Sequence, residues 1–215
     1  MAWDEIPGWA HDVAMALLHA LKERDPYTYG HCRRVAKLAG LLAQSAGLTP
    51  NEQRVVEYAS LFHDLGKMGI PDRILFKPAR LNEEEEEIMR THPVKSAEII
   101  SPLATVAFFK SVVPGIKHHH ERFDGMGYPY GISHQNIPLH ARIILVVDTY
   151  DAMTTSRPYR KGLPTDIAYK ELKLFAGRQF DPDMVKVFLD AHRTWGDLEE
   201  EITAEFVARR FKKAA

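Results

Sequence analysis

TPNEQRVVEYASLFHDLGK, residues 49 to 67, opens as helix punctuation, continues as a packing stripe and ends in polar chemistry. Thr49-Pro50 offers a cap followed by a proline whose fixed φ suits a first helical turn. Val55, Tyr58, Ala59 and Phe62 then recur at the spacing that places them on one face of a helix. The same pattern extends upstream, with Ala14, Leu17, Leu18 and Leu21 in one segment and Val35, Leu38, Leu41 and Leu42 in the next. Asp25-Pro26 ends the first of these and Gly47 the second. Further helices are expected near 94–101, 103–120, 138–154, 164–176, 182–193 and 198–212. Asn82 caps a glutamate run that the helix dipole favours at a helix start, and the terminal RRFKK reads as a solvated helix end. No long run of strict alternation competes, so the fold class is all-α, a helical bundle.

The chain has 215 residues, 45% hydrophobic and 27% charged, enough to bury a full core. Lys and Arg total 28 against 29 Asp and Glu, so no net field draws the chain to DNA or to an anionic membrane. The single cysteine, Cys32, fits a reducing compartment and reads as a small buried hydrophobe. The amino terminus lacks the basic start and apolar core of a signal peptide, and ARIILVV falls far short of the ~20 residues that span a bilayer. A soluble, cytoplasmic protein is expected.

Two Gly- and Pro-rich stretches, 66–81 and 121–138, are long for a compact fold, and loops of that kind are often functional. Imidazoles and carboxylates gather around them: His31, His63 and Asp64, His92, His119 and His120, and Asp148. Each alone has an ordinary alternative, since a lone histidine is more often a surface or hydrogen-bonded core residue. Together they differ, because His63-Asp64 follows an apolar helix and Asp148 follows the most apolar segment. A carboxylate at such depth is costly unless a cation or hydrogen bonds compensate it. Imidazoles with carboxylates and no thiolates suit iron, manganese or zinc, and the ligand count exceeds what one tetrahedral ion uses.

The order His31, His63-Asp64, Asp148 resembles the HD phosphohydrolase superfamily. HDLGKMGIPDRILFKPARL (63–81), THP (91–93), HHERFDGMGYP (119–129) and ARIILVVDTYDAMTTSRPYR (141–160) narrow the resemblance to the HD-GYP family, from about Asp25 to about Pro182. This resemblance implies an HD-domain bundle over 25–215 with a metal centre in its core, preceded by a helical extension over 1–24. It implies a phosphodiesterase that opens cyclic di-GMP to pGpG, and in many members to GMP, through a metal-bridging hydroxide. His31, His63, Asp64 and Asp148 would hold one ion, Asp64 would bridge, and His92, His119 and His120 would hold the second. Iron or manganese is the implied pair. Trinuclear members carry a glutamate four residues before the first ligand histidine; Tyr27 stands there, so two ions are expected. His118 is left out as a neighbour.

Lys67 is the candidate for stabilising phosphate charge and protonating the leaving oxygen, against an ordinary reading as a helix-end lysine. Gly127 permits close approach to a ligand, Tyr128 offers a ring for guanine, and Arg157 and Arg160 suit phosphate or guanine edges. Asp151, one turn after Asp148, is expected to orient a ligand histidine rather than to be a ligand. Two rival readings stand beside this one: hydrolysis of another cyclic dinucleotide or nucleotide, and a cyclic-dinucleotide receptor or protein-interaction module with little turnover. A sensor or other protein partner would act from outside these motifs. The helix before Asp25 either packs on the core or pairs two copies as a homodimer, readings the sequence does not separate.

Overall fold

The structure, a computed structural model, describes residues 6–156 and 161–195. Among the described residues ten α-helices follow one another: α1 (Gly8–Arg24), α2 (Pro26–Ser45), α3 (Pro50–Phe62), α4 (Asp72–Leu75), α5 (Glu83–Met89), α6 (His92–Ile100), α7 (Ala107–Lys117), α8 (Leu139–Thr154), α9 (Thr165–Leu174) and α10 (Pro182–Ala191). Short 3₁₀ turns at Leu65–Gly69, Ser101–Thr105, His134–Asn136 and His192–Thr194 join several of them. The described residues contain no strand, only an isolated bridge between Ala176 and Phe180. The all-α bundle read from the sequence is the fold.

Local chemistry sets the helix ends. Asp25 starts α2, accepting from the Thr28 backbone N–H at 3.0 Å and from the Thr28 hydroxyl at 2.6 Å. Gly47, at φ 78°, closes α2: its own N–H reaches Gln44 O and that of Leu48 reaches Ala43 O, the paired bonds that satisfy the last carbonyls. Thr49 opens α3 through a reciprocal exchange with Glu52, and Asn82 does the same for α5 with Glu85. Glu83, Glu84, Glu85 and Glu86 lie in the first turn of α5, and no residue of that helix is buried.

The core is one continuous cluster in which α2 and α3 pack on each other and on α7 and α8. Phe62, Phe109, Phe180 and Phe188 are its largest fully enclosed side chains. Three of the four residues of the α1 stripe depart little from expectation: Ala14, Leu18 and Leu21 are buried in that cluster, while Leu17 is partly buried against it. Val35, Leu38 and Leu42 are likewise buried, Leu41 only partly. Cys32 is buried, and burial pushes its thiol well up, as suits a small apolar side chain.

Two departures from the sequence reading bear on the site. The helix expected over 103–120 is divided: Val106 is extended (φ −87°, ψ 124°), and α7 stops at Lys117, so His118, His119 and His120 form a turn rather than a helix. The stretch 66–81 holds a 3₁₀ turn and the short α4. The expected helix over 198–212 and the RRFKK end lie outside the described residues.

Candidate metal centre

Three close approaches bring distant segments together. At Gly66 a Cβ would stand 2.2 Å from His92 O and 2.5 Å from Ser96 N, so the turn after α3 lies directly on the α6 backbone. Ser96 secures that contact: its hydroxyl accepts from Gly66 N–H at 2.7 Å and donates to His63 O at 2.7 Å. Gly115 in α7 lets Ala59 of α3 and His140 of α8 approach to 2.9 and 3.2 Å of where its Cβ would be, which sets α7 deep enough to deliver the histidine turn. Gly127, whose Cβ would meet Arg122 N at 2.2 Å, folds the loop back over that turn, and Tyr128 N–H reaches His120 O at 3.2 Å.

The result is two groups of potential ligands, His31, His63 and Asp64 in one, His92, His119 and His120 in the other, with the donor atoms of each within 4.8 Å of one another. The groups adjoin, with His63 and His119 ring centroids 4.9 Å apart. Asp64 spans them: Oδ2 lies 3.5 Å from His63 Nε2 and 3.7 Å from His31 Nε2, while Oδ1 lies 3.2 Å from His92 Nε2. Asp148 stands outside the tight groups but touches one of them, its Oδ1 3.0 Å from His31 Nε2.

The protonation pattern follows from the partners. His63 Nδ1 faces Ser60 O at 2.6 Å, His92 Nδ1 faces Met89 O at 2.8 Å and His119 Nδ1 faces Ile116 O at 2.6 Å. A carbonyl only accepts, so each Nδ1 carries the proton and each Nε2 presents a lone pair inward. His92 Nε2 and His119 Nε2 meet at 3.2 Å, and His63 Nε2 and Asp64 Oδ1 are buried with no hydrogen-bond partner. Converging acceptors in a site where His63 is 0% and Asp64 1% exposed are unfavourable until a cation sits among them. Burial also keeps three of these imidazoles uncharged, lowering His63 and His119 and bringing His120 down to about 3, whereas Asp148 and Asp151 outweigh burial at His31 and raise it. Neutral imidazoles and ionised carboxylates are what a divalent metal requires. Asp64 and Asp148 stay ionised although burial opposes it, because the Lys67 ammonium acts on the first and His31 on the second.

The HD domain family pattern matches residues 16–184. The chain belongs to the HD domain family. Its His63-Asp64 and Gly127-Tyr128-Pro129 place it in the HD-GYP branch. Among its relatives is the cyclic di-GMP phosphodiesterase response regulator RpfG of Xanthomonas campestris pv. campestris, 37% identical over 186 residues, 86% of this chain and 49% of that protein. A cyclic di-GMP phosphodiesterase of Thermotoga maritima is 37% identical over 190 residues, 88% of this chain and 50% of that protein. The chain thus spans about half the length of these curated relatives. In fold it is similar to the cyclic GMP-AMP specific phosphodiesterase V-cGAP3 of V. cholerae, with TM-score 0.61 and 19% identity over 84% of this chain and 47% of that one.

The HD domain family implies dependence on divalent metal, and the two groups of side chains fit such ions. Lys67 stands beside them, its Nζ 2.6 Å from Asp64 Oδ2 with a quarter of its side chain exposed. Burial disfavours its charge, but Asp64 more than offsets this and raises its pKa. Tyr27 is 39% exposed at the start of α2. The Tyr128 ring stacks on His120 at 4.8 Å and 26°, so one face of the ring expected to receive guanine is already covered. Arg157 and Arg160 lie outside the described residues.

Asp151 behaves as a positioning group. Its Oδ2 accepts from His31 Nδ1 at 2.7 Å, and Arg34 grips the same carboxylate through Nε at 2.6 Å and a terminal nitrogen at 2.9 Å. Sequence reasoning missed Arg34, Ser96 and Glu121. Arg34 lies one turn from His31 and could have been found by that spacing, whereas Ser96 carries no such signal. Glu121, 1% exposed, accepts from Tyr130 N–H at 2.8 Å and so anchors the loop that bears Tyr128.

Proposed function

We propose that this chain is the catalytic unit of a metal-dependent phosphodiesterase that hydrolyses cyclic di-GMP to pGpG, with two divalent ions, iron or manganese, held by His31, His63, Asp64 and Asp148 on one side and by His92, His119 and His120 on the other. The observation that carries this reading is the convergence of imidazole lone pairs on a carboxylate that reaches both groups. The relatives named as cyclic di-GMP phosphodiesterases support the substrate. The exposed phenol of Tyr27 supports two ions rather than three, since a phenol is a poor substitute for a carboxylate ligand.

When bound, the ions polarise the phosphate and lower the pKa of water. The chain's own groups do the rest. The backbone carbonyls of Ser60, Met89 and Ile116 hold three imidazoles in the tautomer that aims Nε2 inward. Asp151, fixed by Arg34, orients His31. Lys67, partly exposed and charged, neutralises phosphate and supplies a proton to the departing ribose oxygen. Arg157 and Arg160 bind phosphate or guanine from the segment that follows α8. Gly127 and Tyr128 shape the loop against which the nucleotide rests.

The test is anaerobic purification with metal quantification, followed by a cyclic di-GMP assay of the native protein and of a His63→Ala, Asp64→Ala double variant. The native protein is expected to carry close to two ions per chain and to release pGpG, and the variant to lose both. Turnover retained in the variant, or binding of cyclic di-GMP without cleavage by the fully loaded native protein, overturns the proposal.

A further inference from the structure

Beside the metal centre, where the end of α5 meets α6, lies a cleft of about 400 Å³. Tyr128 and Pro129 form one wall, and Thr91 and Val94 line the rest together with four charged side chains, Glu87, Arg90, Lys95 and Glu98. It adjoins the ligands on two sides, since Arg90 and Thr91 directly precede His92, and the Tyr128 ring is the one stacked on His120. The volume falls in the range of small-molecule sites.

The lining is chemically specific. Two cations and two carboxylates cancel in charge, and among the described residues no ion pair engages Glu87, Lys95 or Glu98, while Arg90 reaches only Glu86, at 3.6 Å. A phosphate in this cleft would be repelled by the glutamates, and an ammonium by Arg90 and Lys95. A neutral, flat group that both donates and accepts along its edge suits all of them. The Arg90 guanidinium already lies over the Tyr128 ring, its central carbon 5.5 Å from the centroid, which lays a planar donor fork beside an aromatic wall. Guanine fits such a fork, because O6 and N7 are adjacent acceptors for an arginine, and its N1–H and N2–H are adjacent donors for a carboxylate. Adenine presents N6–H donors where guanine presents O6, and lacks that second pair.

We infer that this cleft is a guanine subsite, in which a purine of the substrate rests against Tyr128 and Pro129, Arg90 reads O6 and N7, and the glutamates receive N1–H and N2–H. The inference rests on the cyclic dinucleotide reading of the metal centre and assigns it a base preference. Arg90 is then the specificity-determining residue.

The test compares the metal-loaded native protein with Arg90→Ala and with a Glu87→Gln, Glu98→Gln double variant. Calorimetric titration with GMP and with AMP reads the base alone, because the two share a phosphate. The native protein should favour GMP about tenfold or more, as loss of a hydrogen bond to a charged group usually costs. Arg90→Ala should bring the two within about twofold, with metal content and melting temperature unchanged, and should raise KM for cyclic di-GMP by a similar factor while leaving kcat alone. The double variant should also lose the preference. Equal affinity of the native protein for GMP and AMP, or a preference that survives in Arg90→Ala, overturns the subsite whatever the turnover. A native protein that favours GMP through Arg90 but cuts no cyclic dinucleotide supports the subsite and overturns the proposed reaction.

Discussion

A serine hydroxyl inside a helix usually returns to its own backbone, yet that of Ser96 leaves α6 to join Gly66 N–H and His63 O. Ser96→Ala would leave a buried donor and a buried acceptor unmatched, so we expect a loss of about 1–3 kcal/mol in denaturant unfolding, together with reduced metal content. A melt and metal content indistinguishable from the native protein would contradict that role. The side chains that gather into the two candidate groups were legible because histidine and aspartate next to apolar runs are chemically conspicuous. Ser96 was not, since its partners lie about thirty residues away in the chain and its residue type is commonplace. Asp151 was legible as a positioning group from its one-turn offset to Asp148; Arg34, its clamp, was missed. Asp151→Asn keeps an oxygen for His31 Nδ1 but removes the charge gripped by Arg34. Metal affinity, measured by competition with a chelator, should fall about 10–100-fold.

At the level of elements, the apolar stripes and the caps at Thr49 and Asn82 are legible because the signal is local, whereas Asp25, read only as the end of α1, also caps α2. Thr49→Ala, which breaks the exchange with Glu52, should cost about 1 kcal/mol without touching metal content. The one expected helix over 103–120 failed at both ends for non-local reasons. Its periodicity runs through Val106, which is extended, and into His118–His120, which leave the helix so that His119 faces His63 at the end of α3 and His120 faces His92 of α6. Gly115 explains how α7 sits so deep, and the sequence shows only a glycine inside a helical pattern. Gly115→Ala should force α7 from Ala59 and His140, destabilise the fold by about 1–3 kcal/mol and loosen the second ligand group, seen as loss of one ion before the other.

For the molecule as a whole, a bundle was evident from composition and periodicity, but which helix ends converge was carried by the motif resemblance rather than by spacing. Convergence has a pH signature in the metal-free protein. Burial disfavours the charged form of His31, but Asp148 and Asp151 outweigh it and raise the group from 6.5 to about 9. A raised histidine stabilises fully below about 6.5, and that contribution is lost as pH climbs through about 9. Asp64 and Asp148, held below the carboxylate range, contribute above about 3.8 and lose that contribution as the medium becomes acidic. The chelated protein should therefore melt at progressively lower temperature from pH 6.5 to 9, whereas the loaded protein should not, because alkaline conditions strengthen imidazole coordination. A pH-independent gap between the two melts would refute this. The carbonyls of Ser60, Met89 and Ile116 each capture the imidazole three positions onward, so the aim of those rings is written into the main chain at helix termini. Such a turn is portable: grafted onto the terminus of an unrelated helix, it would carry a pre-aimed donor without importing any of the surrounding side chains.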